Sequence, residues 1–198
     1  MRALIAALCL CIAGSVSAQT TDLRALDSDY AAASWKAVGR IDFGQGAFCS
    51  GTLIAPDLVL TAAHCLYRPG TDQLWSKDDI RFHAGLRDGR AVASRAARDA
   101  AAHAKFKPTE PLSAENVAYD VALIRLAQPI STFEVPPFYV HDHRLRAGSV
   151  SVVSYGRGRA NPQPPHKACQ MPARPGGAMI FTCHATFGWA GLPGFSAP

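Results

Sequence analysis

The chain has 198 residues, a formal net charge of +5 at pH 7 and 48% hydrophobic residues. This length suffices for one well-packed core or for two small packed barrels. The basic side chains are scattered among acidic ones and form no aromatic-interleaved stripe, which argues against nucleic acid as a partner.

The N-terminal segment has the pattern of an export signal. A short basic start, Met1-Arg2, precedes a nearly apolar run over residues 3–16, and small residues follow up to Ala18. This pattern predicts a signal peptide over residues 1–18 and a secreted or periplasmic protein. The alternative is a retained anchor, although the apolar run is short for spanning a bilayer. Residues 19–34 lack periodicity and are predicted to form a mobile arm.

The cysteine count supports an oxidising compartment. Cys9 and Cys11 would leave with the signal, and four cysteines remain: Cys49, Cys65, Cys169 and Cys183. An even number in an exported chain predicts two disulfides, and the local pairings are Cys49 with Cys65 and Cys169 with Cys183. Each would close a loop of about 15 residues, worth about 3 kcal/mol in the chain-entropy model. A zinc site is the alternative, but no C-x-x-C pair occurs, so no metal is expected.

From Trp35 onward, short apolar segments alternate with turn residues, which predicts an all-β sandwich or pair of barrels. The predicted strands cover residues 36–41, 47–54, 58–61, 80–84, 91–97, 121–126, 149–155, 166–171 and 178–183. Residues 96–105 are alanine-rich and fit a helix on propensity alone. Residues 107–115 are predicted to form a surface loop, and residues 132–140 a crossing between two lobes.

The run from Phe48 to Cys65 contains two apolar segments, a Pro-Asp turn and the sequence Thr61-Ala62-Ala63-His64-Cys65. A neutral imidazole fixed beside a cysteine is suited to accept a proton near physiological pH. Further along, Asp120 opens the apolar sequence D-V-A-L-I. In isolation it would be interpreted as a strand-end aspartate.

Together, TAAHC and D-V-A-L resemble the histidine and aspartate segments of trypsin-like (chymotrypsin-fold) serine proteases. The resemblance implies a chymotrypsin-like double six-stranded β-barrel, with one barrel over residues 35–131 and a partial second barrel over residues 132–198. It implies that His64 accepts the proton of a nucleophile and that Asp120 holds the imidazole tautomer. It also implies extended structure, rather than a helix, for residues 96–105.

The third motif of that family, G-x-S-G-x-P, has a changed counterpart here, G-W-A-G-L-P over residues 188–193. Alanine stands at position 190, where the family carries its nucleophilic serine. The resemblance assigns the oxyanion hole to the N–H groups of Gly188 and Ala190. Trp189 is a second departure from the family motif, in which a small or acidic residue usually occupies that position. Only five residues follow Pro193, so the second barrel is expected to be incomplete. Ser196 lies too far along to replace the missing hydroxyl.

Two functions follow from this pattern. The first is a trypsin-like serine endopeptidase impaired at Ala190, whose partner is a polypeptide substrate. The second is an inactive homologue that binds peptides or proteins through the retained cleft. A purely structural exported β protein is a third, weaker interpretation. No cofactor is expected, and the group His141-Asp142-His143 is interpreted as a solvated loop.

Overall fold

Six antiparallel strands between residues 38 and 126 close into a barrel. The computed structural model describes residues 32–110, 113–140, 148–156, 169–171 and 195–196. The barrel strands are β1 (Val38–Asp42), β2 (Phe48–Ala55), β3 (Leu58–Thr61), β4 (Arg81–Ala84), β5 (Ala93–Ala102) and β6 (Ala122–Leu126). Their order is β1-β2-β3-β6-β5-β4, with β4 pairing back to β1. The predicted all-β, chymotrypsin-like barrel class is confirmed.

Alternating side chains fill the barrel interior. In β6 the residues Ala122, Ile124 and Leu126 are buried, whereas the side chains between them face outward. The largest fully buried barrel side chains include Ile41, Leu53, Val59, Phe82 and Ile124. Burying each side chain of this size stabilises the fold by about 1.5–3 kcal/mol. The alternation of apolar and polar residues along the strands therefore determines which side chains form the barrel core.

Asp88 and Gly89 form the turn between β4 and β5. Both residues have positive φ, 47° and 74°, as a two-residue hairpin turn of the favoured twist requires. Backbone hydrogen bonds of 2.8 Å in both directions join Arg87 and Arg90 on either side. The hairpin brings His83 opposite Ser94.

In two segments the secondary structure differs from what the local sequence favours. The alanine-rich segment is strand β5, not a helix, because its residues pair with both β4 and β6. The predicted surface loop over residues 107–115 leads into a short helix α1, Ala114–Ala118. Ser113 caps this helix, since its side chain accepts a hydrogen bond from the backbone N–H of Asn116 at 3.1 Å.

A second, three-stranded antiparallel sheet has the order β8-β7-β9. Its strands are β7 (Gly148–Ser151), β8 (Cys169–Met171) and β9 (Phe195–Ser196). Ser196, considered above only as a hydroxyl, therefore belongs to a strand, with its backbone opposite Val150. The predicted signal peptide and the predicted strand over residues 178–183 lie outside the described residues.

Tyr155 joins the segment after β7 to the barrel. Its backbone N–H donates to Ser50 Oγ at 2.8 Å, and its hydroxyl donates to the carbonyl oxygen of Leu86 at 2.9 Å. Its ring packs with Val38, Leu86 and Val153 in a second apolar cluster. Within the ranges given above, none of the helices has the length and apolar content needed to cross a membrane.

Candidate active site

His64 lies just beyond the end of β3, in a short 3-10 helix, Ala63–Leu66. Two connections fix this segment to β2. The buried Thr61 hydroxyl donates to the carbonyl oxygen of Ser50 at 2.9 Å. A disulfide joins Cys65 to Cys49, as the sequence predicted, with 6.2 Å between the Cα atoms. The backbone around His64 is therefore held from both sides.

Asp120 lies just before β6, and strand pairing explains why it meets His64. The last residue of β3, Thr61, is opposite the first residue of β6, Ala122. The residues that follow β3 and those that precede β6 therefore lie next to each other at the same edge of the barrel. The preceding helix α1 is anchored by the buried Asn116, whose side-chain amide bonds both the N–H of Lys107, at 3.0 Å, and its carbonyl oxygen, at 2.9 Å.

The Asp120 carboxylate contacts His64 at two points. Oδ2 lies 2.7 Å from the ring nitrogen Nδ1, and Oδ1 accepts the backbone N–H of His64 at 2.9 Å. With the proton on Nδ1 donated to the carboxylate, Nε2 carries the lone pair and can accept a proton. The His64 side chain is 44% exposed and that of Asp120 is 19% exposed. The accepting nitrogen is thus accessible while its orienting partner is shielded.

Burial on its own would raise the pKa of the Asp120 carboxyl. The hydrogen bonds from the His64 ring and backbone outweigh burial, so the pKa of Asp120 lies below its usual value. The carboxylate is therefore charged at neutral pH, as is needed to stabilise an imidazolium ion.

Among the described residues, the disulfide is also close to the imidazole. Nε2 of His64 lies 3.6 Å from Sγ of Cys65. Because both sulfur atoms are joined in a disulfide, they are not thiolates and cannot ligate a metal in this state.

The remaining predicted site residues fall outside the described part of the chain. These are Gly188, Trp189 and Ala190, together with Cys183. The backbone of Cys169 is described and lies in β8. The structure thus brings together two of the predicted catalytic residues, His64 and Asp120.

Three residues beside Asp120 were not singled out from the sequence. The rings of His103 and Tyr119 stack at 4.9 Å with 14° between their planes, and Lys105 Nζ lies 5.2 Å from the Tyr119 centroid. These contacts cover the residue immediately before Asp120. No local sequence motif marks these contacts, because His103 follows β5 and meets Tyr119 only through the pairing of β5 with β6. The Ser113 cap, by contrast, follows a helix-start pattern that the sequence contains.

The family model "Trypsin" matches residues 27–171. Among curated proteins, the chain is 34% identical over 90 residues to "Modular serine protease" of Drosophila melanogaster, covering 44% of this chain and 14% of that protein. It is 29% identical over 111 residues to "Trypsin epsilon" of Drosophila erecta, covering 54% of this chain and 38% of that protein. The chain therefore spans well under half the length of these relatives.

A solved structure, a Glu endopeptidase, superposes on 84% of this chain and 76% of its own, with a TM-score of 0.69 and 20% identity. At that identity the likeness concerns the fold. The family match covers most of the sequence, including the His64 and Asp120 segments that meet at the barrel edge. The chain belongs to the trypsin family of serine proteases.

Proposed function

We propose that this chain is built for peptide-bond hydrolysis by a serine-protease triad, with His64 as general base and Asp120 as its orienting carboxylate. The observation that carries the proposal is the two-point contact, 2.7 Å to Nδ1 and 2.9 Å to the backbone N–H of His64. One carboxylate thereby fixes both the tautomer and the position of the imidazole. Enzymes of this family act on polypeptides, so a polypeptide is the proposed substrate.

The same proposal places Ala190 at the nucleophile position and assigns the oxyanion N–H groups to Gly188 and Ala190. A methyl group forms no acyl-enzyme, so the chain is impaired in peptide hydrolysis. Without its nucleophile, such a site retains about 10³–10⁴-fold acceleration over water through the oxyanion hole and substrate binding. Ala190 is therefore the residue whose replacement should restore turnover.

The proposal also includes the cellular context. A signal peptide over residues 1–18 would export the chain, and a second disulfide would join Cys169 to Cys183. The Cys49–Cys65 disulfide supports this context, because such bonds persist in oxidising compartments. The two lobes, residues 35–131 and 132–198, would form one protease unit.

The test is to restore the serine. The chain from residue 19 and its Ala190→Ser variant are treated with a fluorophosphonate probe and with casein, and the labelled residue is identified by mass spectrometry. We expect Ala190→Ser to be labelled at position 190 and to cleave casein faster by a factor on the order of 10³ or more. The unmodified chain should not be labelled there.

The matched control is the double variant Ala190→Ser/His64→Ala, which should lose both labelling and cleavage. Equal casein cleavage by the unmodified chain would show that position 190 is not the nucleophile position. A folded Ala190→Ser variant that stays unlabelled would contradict the proposal that His64 and Asp120 form a competent site.

A further inference from the structure

Three residues that can ligate a metal, two cysteines and a histidine, meet at one point beside the barrel. The sulfur atoms of Cys49 and Cys65 and a ring nitrogen of His64 all lie within 4.8 Å of one another. Strand β2 supplies Cys49, and the 3-10 helix after β3 supplies the other two residues. Their proximity is fixed by the barrel and not by sequence spacing alone.

We propose that reduction of the Cys49–Cys65 disulfide converts this cluster into a binding site for one thiophilic divalent cation, such as Zn²⁺. Two thiolates and Nε2 of His64 are the protein ligands. Nε2 donates to the ion the lone pair with which it would otherwise accept a proton. The redox state of the disulfide therefore controls whether His64 can act as a base. The metal site does not depend on proteolytic activity.

The distances suit a tetrahedral ion. Zinc binds thiolate sulfur at about 2.3 Å and imidazole nitrogen at about 2.0 Å, which places the sulfur and the nitrogen about 3.5 Å apart at a tetrahedral angle. Nε2 of His64 already lies 3.6 Å from Sγ of Cys65. Once the covalent bond is broken, the Cys49 sulfur has only to move away from its partner by side-chain rotation.

The imidazole is already oriented as a metal ligand. Metal-bound histidines commonly donate the second ring N–H to a carboxylate, which fixes the tautomer and raises ligand basicity. Asp120 provides this contact, 2.7 Å from Nδ1. The contact leaves Nε2, the nitrogen nearest the sulfur atoms, with its lone pair available.

Burial and charge also fit. Cys49 and Cys65 are 7% and 4% exposed, whereas the His64 side chain is 44% exposed. Two buried thiolates would repel each other, and a dication between them removes this cost. Solvent reaches the site on the histidine side, so water takes the fourth position, as in open sites with a Cys₂His ligand set.

The reaction balances with a phosphine as reductant. The phosphine takes up the oxygen of one water molecule and becomes a phosphine oxide, while the disulfide gains two electrons and two protons and becomes two thiols. The cation then binds both sulfur atoms and releases the two thiol protons to solvent.

The experiment uses the full chain, reduced anaerobically with a phosphine and titrated with Co²⁺ as a spectroscopic probe. We expect one equivalent of Co²⁺ to give thiolate charge-transfer absorption and the visible bands of a tetrahedral ion, and Zn²⁺ to displace it. The oxidised chain should give neither signal. Asp120→Asn should weaken Co²⁺ binding by about 10- to 100-fold, and His64→Ala by more.

Two matched variants complete the test. The double variant Cys49→Ser/Cys65→Ser keeps every other cysteine and should lose the signal. His83→Ala removes a histidine from β4, outside the cluster, and should leave the signal unchanged. A charge-transfer band that survives the double variant, or that does not depend on His64, overturns the proposal. If reduction changes the tryptophan emission spectrum of the chain, Zn²⁺ must restore the original spectrum in the unmodified chain but not in His64→Ala. Failure to do so also overturns the proposal.

Discussion

At the scale of single residues, the His64–Asp120 contact depends on orientation more than on strength. A partly exposed pair of this kind contributes about 0–1 kcal/mol to stability. Its value lies in geometry, because the two carboxylate oxygens bind the ring and the backbone of one residue. The imidazole can therefore neither rotate freely nor exchange its tautomer.

The first prediction concerns Asp120→Asn. An amide can keep its oxygen on the backbone N–H of His64 and turn its NH₂ group to Nδ1, which moves the imidazole proton to Nε2. In the Ala190→Ser background, we expect kcat to fall by about 10⁴, since the wrong tautomer cannot accept a proton at Nε2. Proton NMR should lose the strongly downfield Nδ1–H resonance.

Asp57→Asn is the matched control, because Asp57 pairs with Arg125 at 2.7 Å and does not contact His64. It should leave the resonance and kcat unchanged. A downfield resonance that persists in Asp120→Asn would mean that another group holds Nδ1.

At the scale of the elements, close packing between β1 and β4 requires a glycine. A Cβ atom built at Gly39 would lie 2.3 Å from Cε2 of Phe82 and 2.5 Å from the carbonyl oxygen of His83. Phe82 is fully buried and the carbonyl belongs to a paired strand, so neither can easily move.

The second prediction is that Gly39→Ala destabilises the chain by about 1–3 kcal/mol, the usual cost of overpacking a core. Urea unfolding followed by tryptophan fluorescence measures the loss. Gly46→Ala is the comparison, because among the described residues no atom beyond its chain neighbours lies within 4 Å of a Cβ there, and only its positive φ of 77° is unfavourable. We expect that variant to lose about 1 kcal/mol. A loss at Gly39 no larger than at Gly46 would refute the steric argument.

The elements also show where local sequence signals fail. The alanine-rich segment of β5 has good helix propensity, yet it is a strand, because pairing on both sides outweighs propensities of less than 1 kcal/mol per residue. Only the family resemblance favoured extended structure there. Helix α1, whose first two residues fall in the predicted loop, is not predicted from the sequence, since five residues are too few to give a helical period.

At the scale of the whole molecule, acid stability depends on a charge cluster that joins β1 to β4. Asp42 accepts a hydrogen bond from Arg40 Nη2 at 2.7 Å and lies 3.4 Å from His83 Nε2. Burial alone would raise the pKa of Asp42, but its bonds to His83 and Arg40 lower it from 3.8 to about 2. Between these values the unfolded chain binds more protons than the folded chain.

The third prediction follows from the sign of that difference. The stabilisation by Asp42 is present above pH 4 and is lost as the pH falls towards 2. With the side chain 32% exposed, we expect the contribution to be about 1–2 kcal/mol. Asp42→Asn should therefore reduce the difference between urea midpoints at pH 6 and pH 2.5. Asp78→Asn, which alters an exposed pair with Lys77, should not change it. Equal pH dependence in all three chains would contradict the assignment.

The family and the all-β class follow from the sequence alone, which also predicts two residues of the candidate site, His64 and Asp120. Its signals are local, namely alternating apolar residues, an Asp-Gly turn and the short motifs around His64 and Asp120. Tertiary structure decided what these motifs do together. Residues 56 positions apart meet because β3 pairs with β6, and Cys49 reaches Cys65 because β2 lies beside β3. Strand pairing acts over long sequence separations, so contacts of this kind leave no local pattern in the chain.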